Sequence, residues 1–577
     1  MRRGLIFVLC VLGAPMTGRP DTAAPNEPLV LYTDLASGPN TGGENNRGMY
    51  LSVFGTNFGS SAGKGTSTKV FIGGVEVAEY RYLGPSMGRP DIQQITVQVG
   101  ALGNPRAGTP LPVEVSVNGV KSTSFTPQTF MVNPGRVLFV SVNGDDAKAI
   151  AGDVTHPWRY MQTPASTITH STGAWGAARP GDVIVMRGGH WTDIGSGGPK
   201  RPYFLKFTGN RGTAPTGAEG TGPISISAYP GERVVVDPPV KIAYGVFDGA
   251  NAPRLGDGDD DPKYSHWITI SNLVIPTGGI NDGPINLETG SNHWRVVNND
   301  LSAPDAVTNR AAGVTGNGQY EEVLGNHIHD VAGEGSRGET LLDHGIYIDS
   351  GSDWELAYNL IENITGGSGI QLYNSGHATP TIDRVNIHHN WVHDVAKHGL
   401  NIGDTSGTGI LSWSNVVYNT VGGCWRNNSV DLQSAKVWNN TFYNCNTSGS
   451  SGAIWNDVKN VEKPITADFR NNIVCAAAKS KEYMGGEIGF YAKGVQFSGG
   501  RNLWCKGRNT ASARFDARAI FSDPLFVKAD GKPPDFHLQT GSKAKGSGDS
   551  AVIPLVISNY EFAENHAGTI GINRGAF

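Results

Sequence analysis

Short runs of alternating apolar and polar residues, broken by Gly and Asn, occupy the first part of the chain. The clearest runs cover residues 49–54, 69–72, 95–99 and 113–117. Alternation with a period of two is typical of strands that bury one face. Short strands at this spacing predict a small antiparallel β-sandwich over residues 27–133.

From about residue 136 the pattern becomes a repeat, in which an asparagine is followed two residues later by an apolar residue. Successive copies lie 25 to 33 residues apart, and the clearest of them contain three short apolar strand segments. Such a unit cannot bury its apolar face alone, but stacked units share one continuous core. We therefore expect an all-β chain whose main body, residues 136–577, is a right-handed parallel β-helix. The repeated asparagines, which would bond to one another from coil to coil, are Asn272, Asn299, Asn326, Asn359, Asn390, Asn415, Asn440, Asn472 and Asn502.

Composition and charge narrow the classes of partner. Charged residues make up 17% of the chain, the formal net charge is −5, and no basic stripe stands out that could neutralise phosphates. We expect no nucleic-acid partner. Two arginines and the apolar run 5–14 predict a secretory signal over residues 1–24, and this run is too short to span a bilayer. We expect a secreted monomer, extracellular or periplasmic, without a membrane span.

The cysteines that follow the signal are even in number, as disulfide-bonded exported proteins often have them. Cys445, Cys475 and Cys505 each come three to five residues after a repeated asparagine. Neighbouring coils are close enough for a disulfide if the side chains align. Cys475–Cys505 is the favoured pair and Cys424–Cys445 is possible, while free thiols stay an equal alternative.

Two family resemblances add to this interpretation. Residues 54–59, 70–74 and 112–119 resemble the IPT/TIG family of immunoglobulin-like modules, which implies a spacer or binding module over residues 27–133. Residues 139–145, 179–189 and 226–237 resemble the start of the pectin-lyase-like β-helix superfamily, and residues 523–526 resemble its end. This second resemblance covers residues 136–577. It is specific for the fold, which hosts many chemistries.

The superfamily resemblance implies that the strand after the post-asparagine turn lines a groove for polysaccharide. Here these strands read Gly-apolar-x-apolar at residues 345–348, 369–372 and 399–402. The apolar members point inward, so the alternating polar and aromatic residues point outward. Such side chains suit sugars, because rings stack on aromatic faces and hydroxyls bond to amides and acids. The residues expected on this face include Tyr347, Asp349, Gln371, Tyr373, Asn401, Trp425 and Glu288.

A polysaccharide lyase is the favoured activity. It must neutralise a uronate carboxylate, remove the C5 proton and protonate the leaving oxygen. Lys397 or His398 would be the base, and Tyr347 the acid. Gln371 and Asn401 would hold the carboxylate.

Charged residues beside these strands add further candidates. His344 precedes its strand as His398 does, two coils away or about 10 Å, and a structural role at the turn weighs as much as a catalytic one for both. The long turn at residues 331–342 carries Arg337, a substrate-binding candidate, and Glu339. Asp343, Asp349 or Glu339 could hold Ca²⁺, the one cofactor we consider.

Two alternatives stay open. A glycoside hydrolase needs paired carboxyls, and Asp349 and Glu288 would lie about 10 Å apart, at the edge of the inverting range. The segment at residues 398–403 faintly resembles polygalacturonases, but their adjacent aspartate pair is replaced by Asp343 and His344. The third class is a non-catalytic carbohydrate-binding or surface protein, which would bind without turnover.

Overall fold

The computed structural model of this chain describes residues 27–549 and Val552 with internal gaps. The gaps are residues 104, 107, 125, 163–172, 194–203, 208–215, 239–245, 249–265, 277–282, 288–291, 305–310, 332–341, 375–380, 404–406, 430–431, 451, 457, 459–464, 481–483, 486–494, 506–514 and 517. The expected signal segment lies outside the described residues. No helix in the described part of the chain is long and apolar enough to cross a membrane.

Two sheets form the N-terminal region and enclose a common core. Valines and leucines on one face of each sheet meet there, for example Val53 from one sheet and Val115 from the other. The first sheet contains β1 (Leu29–Thr33), β3 (Tyr50–Thr56), β6 (Glu79–Pro85), β7 (Gln93–Gln98) and β10 (Thr123–Ser124). The second contains β2 (Ser37–Gly38), β4 (Thr68–Ile72), β5 (Val75–Glu76), β8 (Pro110–Val117), β9 (Val120–Lys121) and β11 (Thr129–Val132). A 3₁₀ turn spans Glu44–Asn46.

Three long parallel sheets form the rest of the molecule, and most coils contribute one strand to each, which confirms the parallel β-helix. Sheet 1 contains β12 (Val137–Val140), β13 (Val183–Met186), β16 (Ile224–Ala228), β19 (Ile268–Ser271), β22 (Arg295–Val297), β25 (Glu322–Leu324), β28 (Ser352–Ala357), β31 (Asp383–His388), β34 (Ile410–Trp413), β37 (Ala435–Trp438), β40 (Ile465–Arg470) and β43 (Val495–Gly500). Sheet 2 contains β14 (Gly189–Trp191), β17 (Val234–Val236), β20 (Val274–Ile275), β23 (Asp300–Ala303), β26 (His327–Val331), β29 (Leu360–Ile364), β32 (Trp391–Val395), β35 (Val416–Thr420), β38 (Thr441–Cys445), β41 (Ile473–Ala476), β44 (Leu503–Trp504) and β45 (Ile520–Phe521). Sheet 3 contains β15 (Leu205–Lys206), β18 (Phe247–Asp248), β21 (Ile285–Leu287), β24 (Ala312–Gly316), β27 (His344–Ile348), β30 (Ile370–Leu372), β33 (Leu400–Ile402), β36 (Trp425–Asn427), β39 (Ile454–Asn456) and β42 (Met484–Gly485).

The inward side chains of the three sheets form one apolar core that runs from Leu138 to Trp504. The short helix α1 (Gly173–Ala177) buries Trp175 against its beginning. Near the other end, the hairpin of β46 (Phe526–Lys528) and β47 (Asp535–Leu538) packs on the outer face of sheet 2. The core is continuous because each apolar residue stacks on its counterpart in the next coil.

The repeated asparagines form a ladder at the turn between sheet 1 and sheet 2. In each step, one Oδ1 accepts both the backbone N–H and the Nδ2 of the preceding asparagine. For Asn359 and Asn390 these distances are 3.0 and 2.9 Å. The residue before each ladder asparagine has positive φ, which makes the turn tight. The ladder members are Asn299, Asn326, Asn359, Asn390, Asn415, Asn440, Asn472 and Asn502, and Asp516 accepts the last two bonds.

Asn272 does not belong to this ladder, so this part of the prediction is wrong. It has the positive φ of the residue that precedes a ladder position, and Leu273 donates its N–H to Asn299 instead. The Asn272 amide bonds to Asp34 of the sandwich and accepts from Asn298. Leu273 thus occupies the ladder position, and the Asn272 side chain serves the contact between the two regions.

The sandwich packs against the ladder turns of the β-helix. Arg89 is buried there, and its Nη1 donates to the backbone oxygens of Tyr358 and His389, both at 3.1 Å. Asp91 neutralises the same guanidinium. The ring of Tyr32 stacks on that of Tyr358 at 5.1 Å. These contacts hold the sandwich against the ladder turns, and none of them involves the outer face of sheet 3.

Two disulfides join neighbouring coils. Cys424 pairs with Cys445, with Cα atoms 5.3 Å apart, and Cys475 pairs with Cys505, with Cα atoms 4.9 Å apart. Both pairings considered from the sequence are therefore present. The favoured pair joins successive strands of sheet 2, while the other joins the entrance of a sheet 3 strand to the end of a sheet 2 strand.

Candidate functional site

Polar and aromatic residues occupy one line across the outer face of sheet 3. Strand pairing places them on successive coils, directly opposite one another, while their neighbours Ile346 and Ile348 point into the core. Seven coils contribute to this line, which we name the outer row, so it extends about 29 Å at the usual strand spacing. The outer row consists of Asn286, Thr315, Tyr347, Gln371, Asn401, Arg426 and Trp455.

Members of the outer row contact one another in sequence. Asn401 Nδ2 donates to Gln371 Oε1 at 2.5 Å, and Arg426 Nη1 lies 3.5 Å from Asn401 Oδ1. The Arg426 guanidinium lies over the ring of Trp455 at 4.8 Å from its centroid. These contacts bring together Gln371 and Asn401, which the sequence had placed on one face.

A second, shorter line begins beside Tyr347. The Tyr347 hydroxyl is 3.2 Å from Asp349 Oδ1 and 3.3 Å from the backbone oxygen of Tyr373. All three residues are partly exposed. The expectation that they lie together on the outer face of sheet 3 is therefore confirmed.

Trp425 faces the core, and the expectation that it lines the groove is wrong. Its side chain is fully buried, because Trp425 pairs with Leu400, an inward residue, and Arg426 pairs with Asn401. In the earlier coils Gly345 and Gly399 come directly before the first inward apolar residue, but in this coil Cys424 takes that place, and its disulfide occupies the corner. Without the glycine the sequence offered no marker for the alternation, and the assignment slipped by one residue.

Sequence reasoning missed three members of the outer row, namely Thr315, Arg426 and Trp455. A signal for Trp455 was present, since Ile454 and Asn456 flank it in the same alternating pattern. Arg426 became visible only through pairing with Asn401. With Arg426 and Trp455 included, the outer row ends in a guanidinium that lies over an indole ring.

The two histidines at the strand entrances have structural contacts. His344 Nδ1 accepts the backbone N–H of Ser368, and His398 Nδ1 accepts that of Gly423, both at 3.0 Å. Both rings are buried. Burial lowers the pKa of each to about 3, helped by positive charge from Lys397. Both imidazoles are therefore neutral at pH 7, and each joins its own coil to the next by a hydrogen bond.

Lys397 stands beside these histidines and is half-buried. Burial lowers the pKa of its ammonium, and the Arg426 guanidinium lowers it further. Lys397 in turn helps to lower the pKa of His344, on the strand of Tyr347. The charge of Lys397 thus acts on His344, in the strand of Tyr347, and it interacts with the charge of Arg426. We name Lys397 and Arg426 the basic corner.

Two of the residues considered for Ca²⁺, Asp343 and Asp349, lie far apart. Asp343 is buried, and its Oδ1 accepts the N–H of Ala311 at 2.7 Å. Asp349 is six residues further along an extended strand, about 20 Å away. Glu339 lies outside the described residues. Because the oxygens that hold Ca²⁺ surround one point, Asp343 and Asp349 cannot bind the same ion together.

Two other candidates fall outside the described residues. Arg337 belongs to the gap at 332–341, and Glu288 belongs to the gap at 288–291. The carboxyl pair of a hydrolase therefore has only Asp349 as its described member.

The comparisons with known proteins find similarity among solved structures. No protein-family model matches the sequence, and no curated protein matches it. Among solved structures, the chain resembles pectate lyase Pel9A, with 15% identity and a TM-score of 0.48 over 76% of this chain and 96% of that one. It also resembles a rhamnogalacturonan lyase, with 15% identity and a TM-score of 0.34 over 73% and 98% of the two chains. For the family 28 exopolygalacturonase of Yersinia enterocolitica the values are 12% and 0.30, over 88% and 100%. At these identities the likeness concerns the parallel β-helix alone.

Proposed function

We propose that this protein is a secreted polysaccharide lyase that cleaves a uronate-containing glycan by β-elimination. The observation that carries the proposal is the basic corner at the end of a line of amide and aromatic side chains. A chain of acidic sugars needs hydroxyl partners along its length and a positive charge for its carboxylates. The outer row offers the first, with its amide side chains buried and Tyr347 and Trp455 partly exposed. Arg426 and Lys397 supply the second.

In this proposal Arg426 binds the uronate carboxylate, because a guanidinium can hold both carboxylate oxygens at once. With its charge neutralised, the carboxylate group withdraws more electron density from C5 and can accept the charge that develops there, so the C5 proton becomes more acidic. Gln371 and Asn401 bond to sugar hydroxyls. Trp455 offers a ring face at the end of the row, next to Arg426.

Lys397 is the proposed base. Its lowered pKa increases the fraction of neutral amine, which is the form that accepts a proton. The amine takes the C5 proton, the C5–H electrons form the C4=C5 double bond, and the C4–O bond breaks. Tyr347 gives its hydroxyl proton to the leaving oxygen. His398 is not the base in this scheme, because its Nδ1 already accepts a backbone N–H and its ring is buried.

The regions around the groove enter the proposal as well. We propose that residues 1–24 direct export, which two disulfides suit. We also propose that residues 27–133 form an IPT/TIG-like spacer module. Calcium remains a proposal without a described binding site, so activity with and without Ca²⁺ belongs to the test.

The test is the ultraviolet absorbance of unsaturated uronide during incubation with a panel of uronate polysaccharides. The native chain should produce a rise. Lys397→Ala should lower kcat by about a hundredfold or more, as loss of a general base does, and Arg426→Ala should mainly raise KM. Lys436→Ala is the matched control, because Lys436 is exposed on sheet 1 and packs over Trp438.

Two results would overturn the lyase proposal. New reducing ends without unsaturated product would indicate a hydrolase that uses Asp349 with Glu288. A polysaccharide that is bound but not cleaved, with binding lost in Arg426→Ala, would indicate a carbohydrate-binding protein.

A further inference from the structure

A compact group of imidazoles and carboxylates lies on the outer face of sheet 2, away from the outer row. His327 and His329 are alternate residues of β26, so both point to the same side. Strand pairing places Asp300 opposite His327 and Glu362 opposite His329. A central strand thus presents two imidazoles, and a carboxylate stands on each flanking coil.

The distances within this group are short. His329 Nε2 is 2.9 Å from Asp300 Oδ1, and the rings of His327 and His329 have centroids 4.1 Å apart. One ligand atom from each of Asp300, His327 and His329 lies within 4.8 Å of the other two. Ligands at about 2.1 Å from a tetrahedral ion are roughly 3.4 Å apart. Side-chain rotations alone can therefore close these three residues around one ion.

Further carboxylates support the two imidazoles from behind. Asp330 Oδ2 is 2.7 Å from His329 Nδ1, which leaves Nε2 of that ring directed at Asp300. Glu362 Oε1 is 2.8 Å from His327 Nε2. A carboxylate on the second ring nitrogen is the usual way in which a protein orients a metal-binding histidine. The side chains of Asp300, His327 and His329 are 21 to 23% exposed, so an ion can reach them from solvent.

We propose that Asp300, His327 and His329 bind one transition-metal dication of the zinc class. Imidazole nitrogens combined with a carboxylate favour Zn²⁺, Co²⁺ or Ni²⁺ over Ca²⁺ and Mg²⁺, which prefer oxygen ligands. The three carboxylates around the two rings provide the negative charge that a dication neutralises. The bound ion ties the coil of Asp300 to the coil of His327 and His329. This site is independent of the proposed lyase activity.

The test is metal binding to the full chain after removal of metals by chelation. Calorimetric titration with ZnCl₂ should show one tight site, and titration with CoCl₂ should produce the visible absorption of a four-coordinate ion. His329→Ala and Asp300→Asn should each weaken Zn²⁺ binding by at least about tenfold. His190→Ala is the matched control, because His190 pairs with Asp237 at 3.0 Å on the same sheet but its strand, Gly189–Trp191, contains one histidine and not two.

Asp300→Asn decides the question if His329→Ala does not fold, since the amide keeps the size of the side chain and can still accept from His329. Far-ultraviolet circular dichroism checks the fold of each variant. Absence of a stoichiometric site in the native chain would overturn the proposal. Equal Zn²⁺ affinity in the native chain and in a folded Asp300→Asn variant would overturn it as well.

Discussion

Truncation of one ladder asparagine should loosen the β-helix locally. Asn390 is fully buried, and its Oδ1 accepts from the backbone N–H and the Nδ2 of Asn359. Its own Nδ2 donates to the Leu356 carbonyl at 2.8 Å and to Asn415 Oδ1 at 3.0 Å. Asn390→Ala removes all four bonds and puts nothing in their place.

The expected cost follows from which groups lose a partner. Asn359 Nδ2 still donates to Val323, and Asn415 Oδ1 still accepts from the backbone N–H of residue 390. The Asn359 N–H and the Leu356 carbonyl lose the bonds that Asn390 gave them. A buried polar group without its partner costs about 1–3 kcal/mol, so the two together cost roughly 4 kcal/mol.

Hydrogen exchange measured by mass spectrometry suits this prediction, because repeat proteins do not always unfold in one step. A loss of about 4 kcal/mol should speed exchange of the coils at Asn359 and Asn390 by about a thousandfold. Peptides of the sandwich should exchange as in the native chain. Asn143→Ala, at an exposed loop position, is the control and should change stability by less than about 0.5 kcal/mol. If the amides of these coils exchange as slowly in Asn390→Ala as in the control variant, the ladder does not stabilise the coils as argued.

Two further predictions concern a buried acid and a glycine. Burial raises the pKa of Asp34 to about 6, against the bonds from Ser52 that lower it. A carboxyl whose folded pKa lies above its unfolded value favours folding while it is protonated. The free energy of unfolding should therefore fall by at most about 3 kcal/mol as the pH rises from about 4 to about 6. Asp34→Asn should flatten that part of the pH profile of the urea midpoint, and an unchanged profile would contradict the assignment. Gly399 starts a strand of sheet 3, and a Cβ there would collide with Val417. Gly399→Ala should cost about 1–3 kcal/mol in thermal unfolding, whereas Gly500→Ala, where a Cβ finds room, should cost little; equal losses would refute the packing argument.

The sequence predicted the fold well because its signals recur in the successive coils from Asn299 to Asn502. Each ladder asparagine comes with flanking apolar residues, so one ambiguous coil does not change the interpretation. The exception, Asn272, lies one residue before a ladder position and bonds to Asp34 of the sandwich as well as to Asn298 of the next coil. A repeat pattern alone does not contain that information, since it depends on a residue far away along the chain.

The candidate site was predicted less completely. Tyr347, Gln371 and Asn401 follow from alternation within strands that open with glycine, and the structure places them in one row. Arg426 was missed because its strand opens with Cys424, which hides the register. The site on sheet 2 was missed for a different reason. His327 and His329 are visible as alternate residues, but their relation to Asp300 requires the pairing between coils.

The direction of the asparagine ladder bears on how the β-helix ends. Each amide accepts hydrogen bonds from the coil before it and donates to the coil after it. Every ladder asparagine therefore needs an acceptor on the following coil. Asp516 stands where the next amide would be and accepts both bonds from Asn502. An ionised carboxylate has no proton to pass on. The ladder therefore ends at Asp516, because a carboxylate in the place of an amide accepts hydrogen bonds and donates none.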